Sequence, residues 1–344
     1  MAIVQKGTWW REHRTGAGGE TLRGVVRAGS RWVFVGDTSL APLIVTLDAT
    51  VEEDNLPPFV TRTPAGSDFL RDVDYVATGA TIAACGDNGV VESSTDQGAT
   101  WSSLNVAGSP HLYGIVAKSG DVLSRFVAVG VNEIWGQDST ATWSQRWSGS
   151  QTWRSVGVRV GHRWVAVGDN GWASESSTGG VGTWSAPFNF GIGNLIKCET
   201  NANYFLALSH LGYLYRSTTG VPGSWTQVHN FGETMAALVP VLTTGAWVAF
   251  SAGAKVFYSA DDGDTWTRND GDVTQGVLDA YNISGGPAIG CGYIGSAQVS
   301  YGQVQSDPPD PTPQPETPPA FSANDDMAGD AVRRIISQFR SGRG

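Results

Sequence analysis

The chain has 344 residues, with 22 Lys and Arg against 32 Asp and Glu, and a formal charge of −10. That balance argues against sequence-independent nucleic-acid binding, which draws its affinity from Lys and Arg on phosphate. Its three cysteines, Cys85, Cys198 and Cys291, lie on separate apolar runs and read as buried thiols rather than a disulfide framework; no Cys/His cluster has metal-ligand spacing, and no apolar stretch is long enough to span a membrane.

Read from the N-terminus, Met1 to Lys6 carries no signal-peptide core, so the protein is expected to be made in the cytoplasm without export by a standard signal. Gly7-Thr8-Trp9 follows, the first of six turns that end in Trp. The others end at Trp101, Trp143, Trp184, Trp225 and Trp266, spaced 42, 41, 41 and 41 residues apart. A fixed period of this length is the signature of a repeat architecture. Before each turn comes an apolar run: Trp32 to Gly36, Ile82 to Gly86, Phe126 to Gly130, Trp164 to Gly168, Phe205 to Leu208, Trp247 to Phe250 and Ala288 to Gly292. Seven runs face six Trp turns. The missing turn falls near Phe59, after a Pro-rich insertion. The last run has no turn of its own, and the unpaired Gly7-Thr8-Trp9 is predicted to fill that gap as an outer strand. Such closure leaves no sheet edge open.

Within one unit, Leu112 to Val116 is predicted as an inner strand and Phe126 to Gly130 as the second. Gly86-Asp87-Asn88-Gly89 and Gly168-Asp169-Asn170-Gly171 read as hairpin turns, because Asn-Gly tolerates positive φ at both central positions. The apolar runs are nearly continuous, which suits strands packed on both faces.

Two of the turns are complete: Ser94-Thr95-Asp96-Gln97-Gly98-Ala99-Thr100-Trp101 and Ser259-Ala260-Asp261-Asp262-Gly263-Asp264-Thr265-Trp266. The pattern Ser-x-Asp-x-Gly-x-Thr-Trp resembles the Asp-box, or BNR, repeat of sialidase-like β-propellers. The resemblance implies an all-β, seven-bladed β-propeller over residues 1–304. It also implies a structural role for the motif, on the face away from a ligand. The staple residues are then Asp96, Gly98, Trp101, Asp138, Trp143, Trp184, Trp225, Asp261, Gly263 and Trp266. Other copies are degenerate: Thr140 stands where Gly is expected, Gly179 where Asp is expected, and an extra residue lies around Pro222.

A sialidase needs an Arg cluster for a carboxylate, a Tyr nucleophile with a Glu partner and an Asp acid/base, together with a Phe/Tyr-Arg-Ile-Pro string. The nearest string, Thr61-Arg62-Thr63-Pro64, lacks the aromatic and lies too far from the start. The five histidines are scattered, and none pairs with a Gly-x-Ser-x-Gly turn. The expectation is no enzyme, no catalytic residue, no cofactor and no metal. Arg does recur at inner-strand starts, at Arg23, Arg71 and Arg154. These positions approach the channel mouth and are candidates for an anion site, with solvated strand ends as the alternative. Tyr113, Ile196, Ala236 and Asp279 occupy that register in the other units. His111, Trp147 and Trp153, from connecting loops, complete a possible ligand face for a host-surface glycan; ordinary turn chemistry is the alternative for its Asp and Asn residues. The string Val165 to Gly171 followed by an Asp-box also resembles the photosystem II assembly-factor propellers and their bacterial and phage relatives. That family is seven-bladed, non-enzymatic and works by protein contacts.

Residues 305–320 are a Pro-rich linker, expected to be extended and semi-rigid. Residues 321–344 carry a short amphipathic helix with Val332, Ile335, Ile336 and Phe339 as a docking face, with contact to a membrane or nucleic acid, or a disordered tail, as the alternatives. A propeller on a stiff spacer with a docking peptide is the layout of an accessory virion protein. The leading expectation is a non-enzymatic phage tail component, located in the virion and anchored to other virion or assembly proteins by its tail. The alternatives are a carbohydrate-binding or sialidase-like propeller and a cytoplasmic assembly factor.

Overall fold

Strong β-formers in short runs, punctuated by Gly at the turns, make strands the dominant element among the described residues. In the computed structural model the described residues are 10–14, 20–48, 59–118, 125–138, 141–159, 161, 163–241, 245–269, 277–282, 288–292 and 296–300, with side chains placed from 20 to 268. Residues 305–320 and 321–344, with Val332, Ile335, Ile336 and Phe339, lie outside the described residues.

The first strand is β1 (Trp10–Arg14). A four-stranded sheet follows, of β2 (Glu20–Ala28), β3 (Arg31–Thr38), β4 (Pro42–Asp48) and β5 (Val60–Arg62). The next is β6 (Leu70–Val76), β7 (Thr81–Gly86), β8 (Val90–Ser94) and β9 (Ser102–Asn105). Then β10 (Leu112–Ala117), β11 (Phe126–Gln137), β12 (Trp143–Val158), β13 (Trp164–Gly168), β14 (Trp172–Ser176) and β15 (Phe188–Asn189) form one continuous sheet. Two more sheets are β16 (Leu195–Thr200), β17 (Phe205–Ser209), β18 (Tyr213–Ser217) and β19 (Thr226–Asn230), then β20 (Met235–Val241), β21 (Ala246–Ser251), β22 (Val256–Ser259) and β23 (Thr267–Asn269). Last come β24 (Val277–Asn282), β25 (Ala288–Gly292) and β26 (Ser296–Ser300). β1 pairs antiparallel with β26, Trp10 opposite Ser300, as the outer strand of that sheet.

The continuous sheet hides two repeats. β11 folds back at Asn132, whose φ is 63°, and the Arg125 N–H donates to the Gln137 carbonyl at 2.7 Å. The start of β12 pairs with β11, and its end pairs with β13. One long strand is thus the outer strand of one unit and the inner strand of the next.

The inner strands pack side by side in chain order: β2 on β6, β6 on β10, β10 on β12, β12 on β16, β16 on β20, β20 on β24, and β24 back on β2. The molecule is an all-β propeller. Its second strands are buried from end to end, as the continuous apolar runs require: β7, β13, β17 and β21 have no exposed residue. Each of the five described turn tryptophans packs into the seam between its own sheet and the preceding one. Trp101 joins Val33, Ile44 and Ile82, Trp143 joins Ala83 and Phe126, Trp184 joins Val127 and Trp164, Trp225 joins Val165 and Phe205, and Trp266 joins Leu206 and Trp247. Where the Trp turn is missing, Phe59 stands just before the outer strand β5 and meets Phe34 edge-on at 5.4 Å.

The two complete Ser-x-Asp-x-Gly-x-Thr-Trp turns explain their own sequence. The Asp96 carboxylate accepts the Thr100 N–H at 2.9 Å and the Thr100 hydroxyl at 2.6 Å, while Ser94 Oγ accepts the Gly98 N–H at 2.9 Å. The Trp101 indole donates to the Gly98 carbonyl at 3.1 Å. The Asp261 turn repeats these contacts with Thr265, Ser259, Gly263 and Trp266. Asp138 likewise accepts the Thr142 N–H, at 3.2 Å.

The degenerate turns differ from the sequence alignment. Ser176 Oγ accepts the Gly179 N–H at 2.8 Å, and Ser217 Oγ accepts the Gly220 N–H at 2.8 Å. Gly179 therefore stands in the Gly position, not the Asp position. The turn is one residue shorter before its Gly and two longer after it. With Asp gone, a hydroxyl pair closes the turn: Ser176 with Thr183 and Ser217 with Ser224, each at 2.6 Å.

Candidate functional site

Every inner strand begins with the same irregularity. One residue bulges out between two paired ones: Arg23, Arg71, Tyr113, Arg154, Ile196, Ala236 and Leu278. Leu278, not Asp279, holds that place in the last sheet. A bulge leaves its residue unpaired and re-aims the side chain. Four consecutive inner strands thus carry Arg, Arg, Tyr and Arg at one level.

The level is the end of the ring that holds the second-to-third-strand turns and the connections between sheets. There the Asn88 amide donates to Asp68 at 2.6 Å, and the Asn170 N–H donates to Asn194 Oδ1 at 2.9 Å. The Asp96 and Asp261 turns occupy the other end. Gln97 accepts the Ser30 N–H from the β2–β3 turn at 3.3 Å, and Asn201 donates to Asp262 at 2.6 Å.

Each rim arginine has an Asp partner from the end of its second strand or from the turn that follows it. Arg23 Nε lies 2.5 Å from Asp37. Arg71 grips Asp87 through two bonds, at 2.9 and 2.7 Å, and Arg154 grips Asp169 at 2.8 and 2.7 Å. Asp87 also lies 3.0 Å from His111 Nδ1. The Arg154 guanidinium sits over the Tyr113 ring, 4.4 Å from its centre. The Asp87 hydrogen bond raises the Arg71 guanidinium above its ordinary value, with smaller contributions from Tyr113 and Asp37. Burial pushes the Asp87 carboxyl up, but Arg71 and His111 outweigh it and hold it below the ordinary carboxylate value. The Asp169 hydrogen bond likewise raises Arg154. Arg23, Arg71, Tyr113 and Arg154 therefore form one electrostatic neighbourhood rather than separate strand ends.

The pairing was readable in part. Arg and Asp are separated by 14, 16 and 15 residues in the three units, and Asp directly follows a Gly of the second strand each time. Tyr113, which interrupts the arginine series in sequence, stands beside Arg154 instead of breaking the arc.

The aromatic members are less accessible than a loop position predicts. Trp153 belongs to β12 and is fully buried. It is removed from the ligand face, because its strand turns it into the apolar seam with Val129 and Trp164. Trp147 is partly buried and meets Trp153 edge-on at 5.1 Å.

Below the rim, a cavity of about 280 Å3 is bounded by the inner strands, including Asp72, Tyr75, Ile115, Val156, Glu199 and Pro240. Its carboxylates serve the seams. Asp72 accepts the Ile115 N–H at 2.9 Å, and Asp74 accepts the Ala117 N–H at 2.7 Å. Ser155 does the same for Cys198 at 3.1 Å. Burial pushes the Cys198 and Cys85 thiols well above the ordinary thiol value. Among the described residues no cluster of three His, Cys, Asp or Glu is placed to hold a metal ion, and no helix is long and apolar enough to cross a membrane.

No family model matches the chain, and no curated protein matches it. Solved structures share its fold. A structure of YCF48 bound to D1 peptide is similar at 14% identity with a TM-score of 0.68, over 87% of this chain and 99% of that one. YCF48 from Cyanidioschyzon merolae gives 14% identity and 0.64, over 85% and 98%. Virginiamycin B lyase from Staphylococcus aureus gives 10% identity and 0.67, over 85% and 99%. At these identities the likeness is one of β-propeller fold, shared by proteins with different tasks.

Proposed function

We propose that the chain is a non-enzymatic, seven-bladed propeller, closed by its N-terminal strand, that makes protein contacts within a larger assembly. Its rim of Arg23, Arg71, Tyr113 and Arg154 holds the carboxylates of a partner's peptide. One observation carries this reading: each arginine is oriented by an Asp that uses only part of its donor set. Of the five N–H donors on a guanidinium, Asp87 takes two from Arg71 and Asp169 takes two from Arg154. Arg154 also hydrogen-bonds Tyr113; the donors left over suit a carboxylate, and the fixed fork fits one. The YCF48 structure with D1 peptide supports a peptide as the class of partner. The layout of propeller, Pro-rich spacer and amphipathic segment supports a virion tail as the assembly. A cytoplasmic assembly factor is the second reading, favoured by the fold likeness to YCF48.

The test is fluorescence anisotropy with a fluorescein-labelled Glu-rich decapeptide and its fully amidated counterpart. The acidic peptide is expected to bind and the neutral one not. Arg71→Ala with Arg154→Ala should weaken binding at least ten-fold with the melting curve still cooperative. Equal binding of both peptides, or no effect of the double variant, overturns the rim. Truncation after Gln305 followed by co-purification with particles tests the tail as anchor, and full retention of the truncated protein overturns it.

A further inference from the structure

We propose that His111 makes the rim's hold on a carboxylate depend on pH, tightening it as the imidazole gains a proton. The inference rests on the rim reading above and adds to it a switch. Three features place His111 there. Its backbone is pinned at the channel mouth, because its carbonyl accepts the Val131 N–H at 2.9 Å. Its Nδ1 lies 3.0 Å from Asp87 Oδ1, on the carboxylate that orients Arg71. Its side chain is 49% exposed, while Asp87 is only 13% exposed, so the ring is half open to solvent beside a largely covered partner.

The charged groups around it are all assigned. Asp87 comes from the turn after β7 and Arg71 from β6. Tyr113 stands on β10 and Arg154 on β12, in contact with each other, and Asp37 at the end of β3 is held by Arg23. Glu133 on β11 is engaged by the Trp135 indole at 2.7 Å.

The two protonation states differ in what they offer. In the neutral ring, Nδ1–H donates to Asp87 and Nε2 carries a lone pair, which repels a carboxylate. In the protonated ring, Nδ1–H still donates to Asp87, and Nε2 becomes a donor with a positive charge beside the arginines. Burial pushes Asp87 up, but Arg71 and His111 outweigh it and hold it below the ordinary carboxylate value, so it carries a negative charge beside the ring across the neutral pH range. Histidine is the side chain whose charge changes between about pH 5 and 8. One extra charge within a few ångströms of a half-exposed site is expected to change affinity about three- to ten-fold.

The experiment measures anisotropy of the same fluorescein-labelled acidic decapeptide at about pH 8 and pH 5.5, where its carboxylates remain largely ionised. The full-length protein is compared with His111→Gln and His111→Lys, and thermal melts confirm that each is folded. Expected results are a three- to ten-fold tightening at the lower pH for the wild type, one affinity at both pH values for His111→Gln, and tight binding at both for His111→Lys. A wild type that binds equally at both, or a His111→Gln variant with the wild-type pH dependence, overturns the inference and leaves the rim standing. No binding by any form at either pH overturns the rim reading itself, and the inference with it.

Discussion

A β-carbon added to Gly86 would stand 2.0 Å from the carbonyl oxygen of Phe69. The same approach recurs between Gly36 and Thr21, Gly130 and His111, and Gly168 and Thr152, at 1.9, 2.0 and 2.0 Å. The bulge that aims Arg71 outward brings the strand before it against the end of β7, and only a residue without a side chain fits.

Gly86→Ala should therefore force the bulge open. Overpacking of this kind costs about 1–3 kcal/mol, here at the upper end because the obstacle is backbone. In a domain of this size that is a fall of about 3–5 °C in Tm, and acidic-peptide binding should weaken with it, since Arg71 loses its aim. An unchanged melting curve would show that the bulge is not rigid.

Asp96 gives a pH prediction. Hydrogen bonds from the Thr100 hydroxyl and N–H lower its carboxyl from the ordinary 3.8 to about 2. A group depressed in the folded state contributes stability above its unfolded value and loses it as pH falls through its folded value. Asp96 thus supports the fold above about pH 4 and withdraws that support between there and about pH 2. The carboxylate is exposed, so solvent limits the effect to no more than about 1 kcal/mol. Asp96→Asn should lower Tm slightly at pH 7 and flatten its dependence between pH 4 and 2, read by circular dichroism.

Arg159 is a buried cation that joins two sheets. It lies in the turn after β12, only 7% exposed. Its guanidinium donates to the Thr218 carbonyl and, at 2.7 Å, to the Ala202 carbonyl, and sits 5.5 Å from the Phe205 ring centre. Burial lowers its pKa, with Tyr204 opposing. It braces one of the turns that lacks the Asp-box carboxylate. Arg159→Met should leave two carbonyls without that donor and cost about 2–3 kcal/mol, seen as a lower urea midpoint.

Trp153 and Trp147 should separate cleanly. Trp153→Ala empties a fully buried site and should cost about 3–5 kcal/mol. Trp147→Ala removes a partly exposed edge-on partner and should cost about 1 kcal/mol. Similar losses for both would contradict the burial difference.

Deleting residues 1–14 should destabilise the whole ring, because it removes β1 from β26 and exposes a paired edge. A fall in Tm of at least 5 °C is expected. A deletion variant that melts like the full chain would rule out closure by the N-terminal strand.

What the sequence determined by itself was the repeat and the fold class. A period of about 41 residues, the Ser-x-Asp-x-Gly-x-Thr-Trp turn and the Asn-Gly hairpins are local signals, and each depends on contacts within a few residues. Asp96 binds Thr100, four residues away. Asn88 and Gly89 have φ of 53° and 72°, as their residue types allow. What only the tertiary structure decided was which residues meet. Nothing local distinguishes Arg71 as a member of a rim from a solvated strand end; the bulge at the start of each inner strand and the closing of the ring bring it to Asp87 and near Tyr113. Trp153 reads as a loop residue because its neighbours are Ser, Gly, Gln and Thr. It is core because β12 runs unbroken from one unit into the next and carries it into the seam. Gly179 reads as a lost Asp, and only its hydrogen bond to Ser176 shows a turn re-cut around a Gly that stays in place. Period and turn chemistry act within a few residues of chain, whereas the rim is assembled by four strands that meet only when the ring forms.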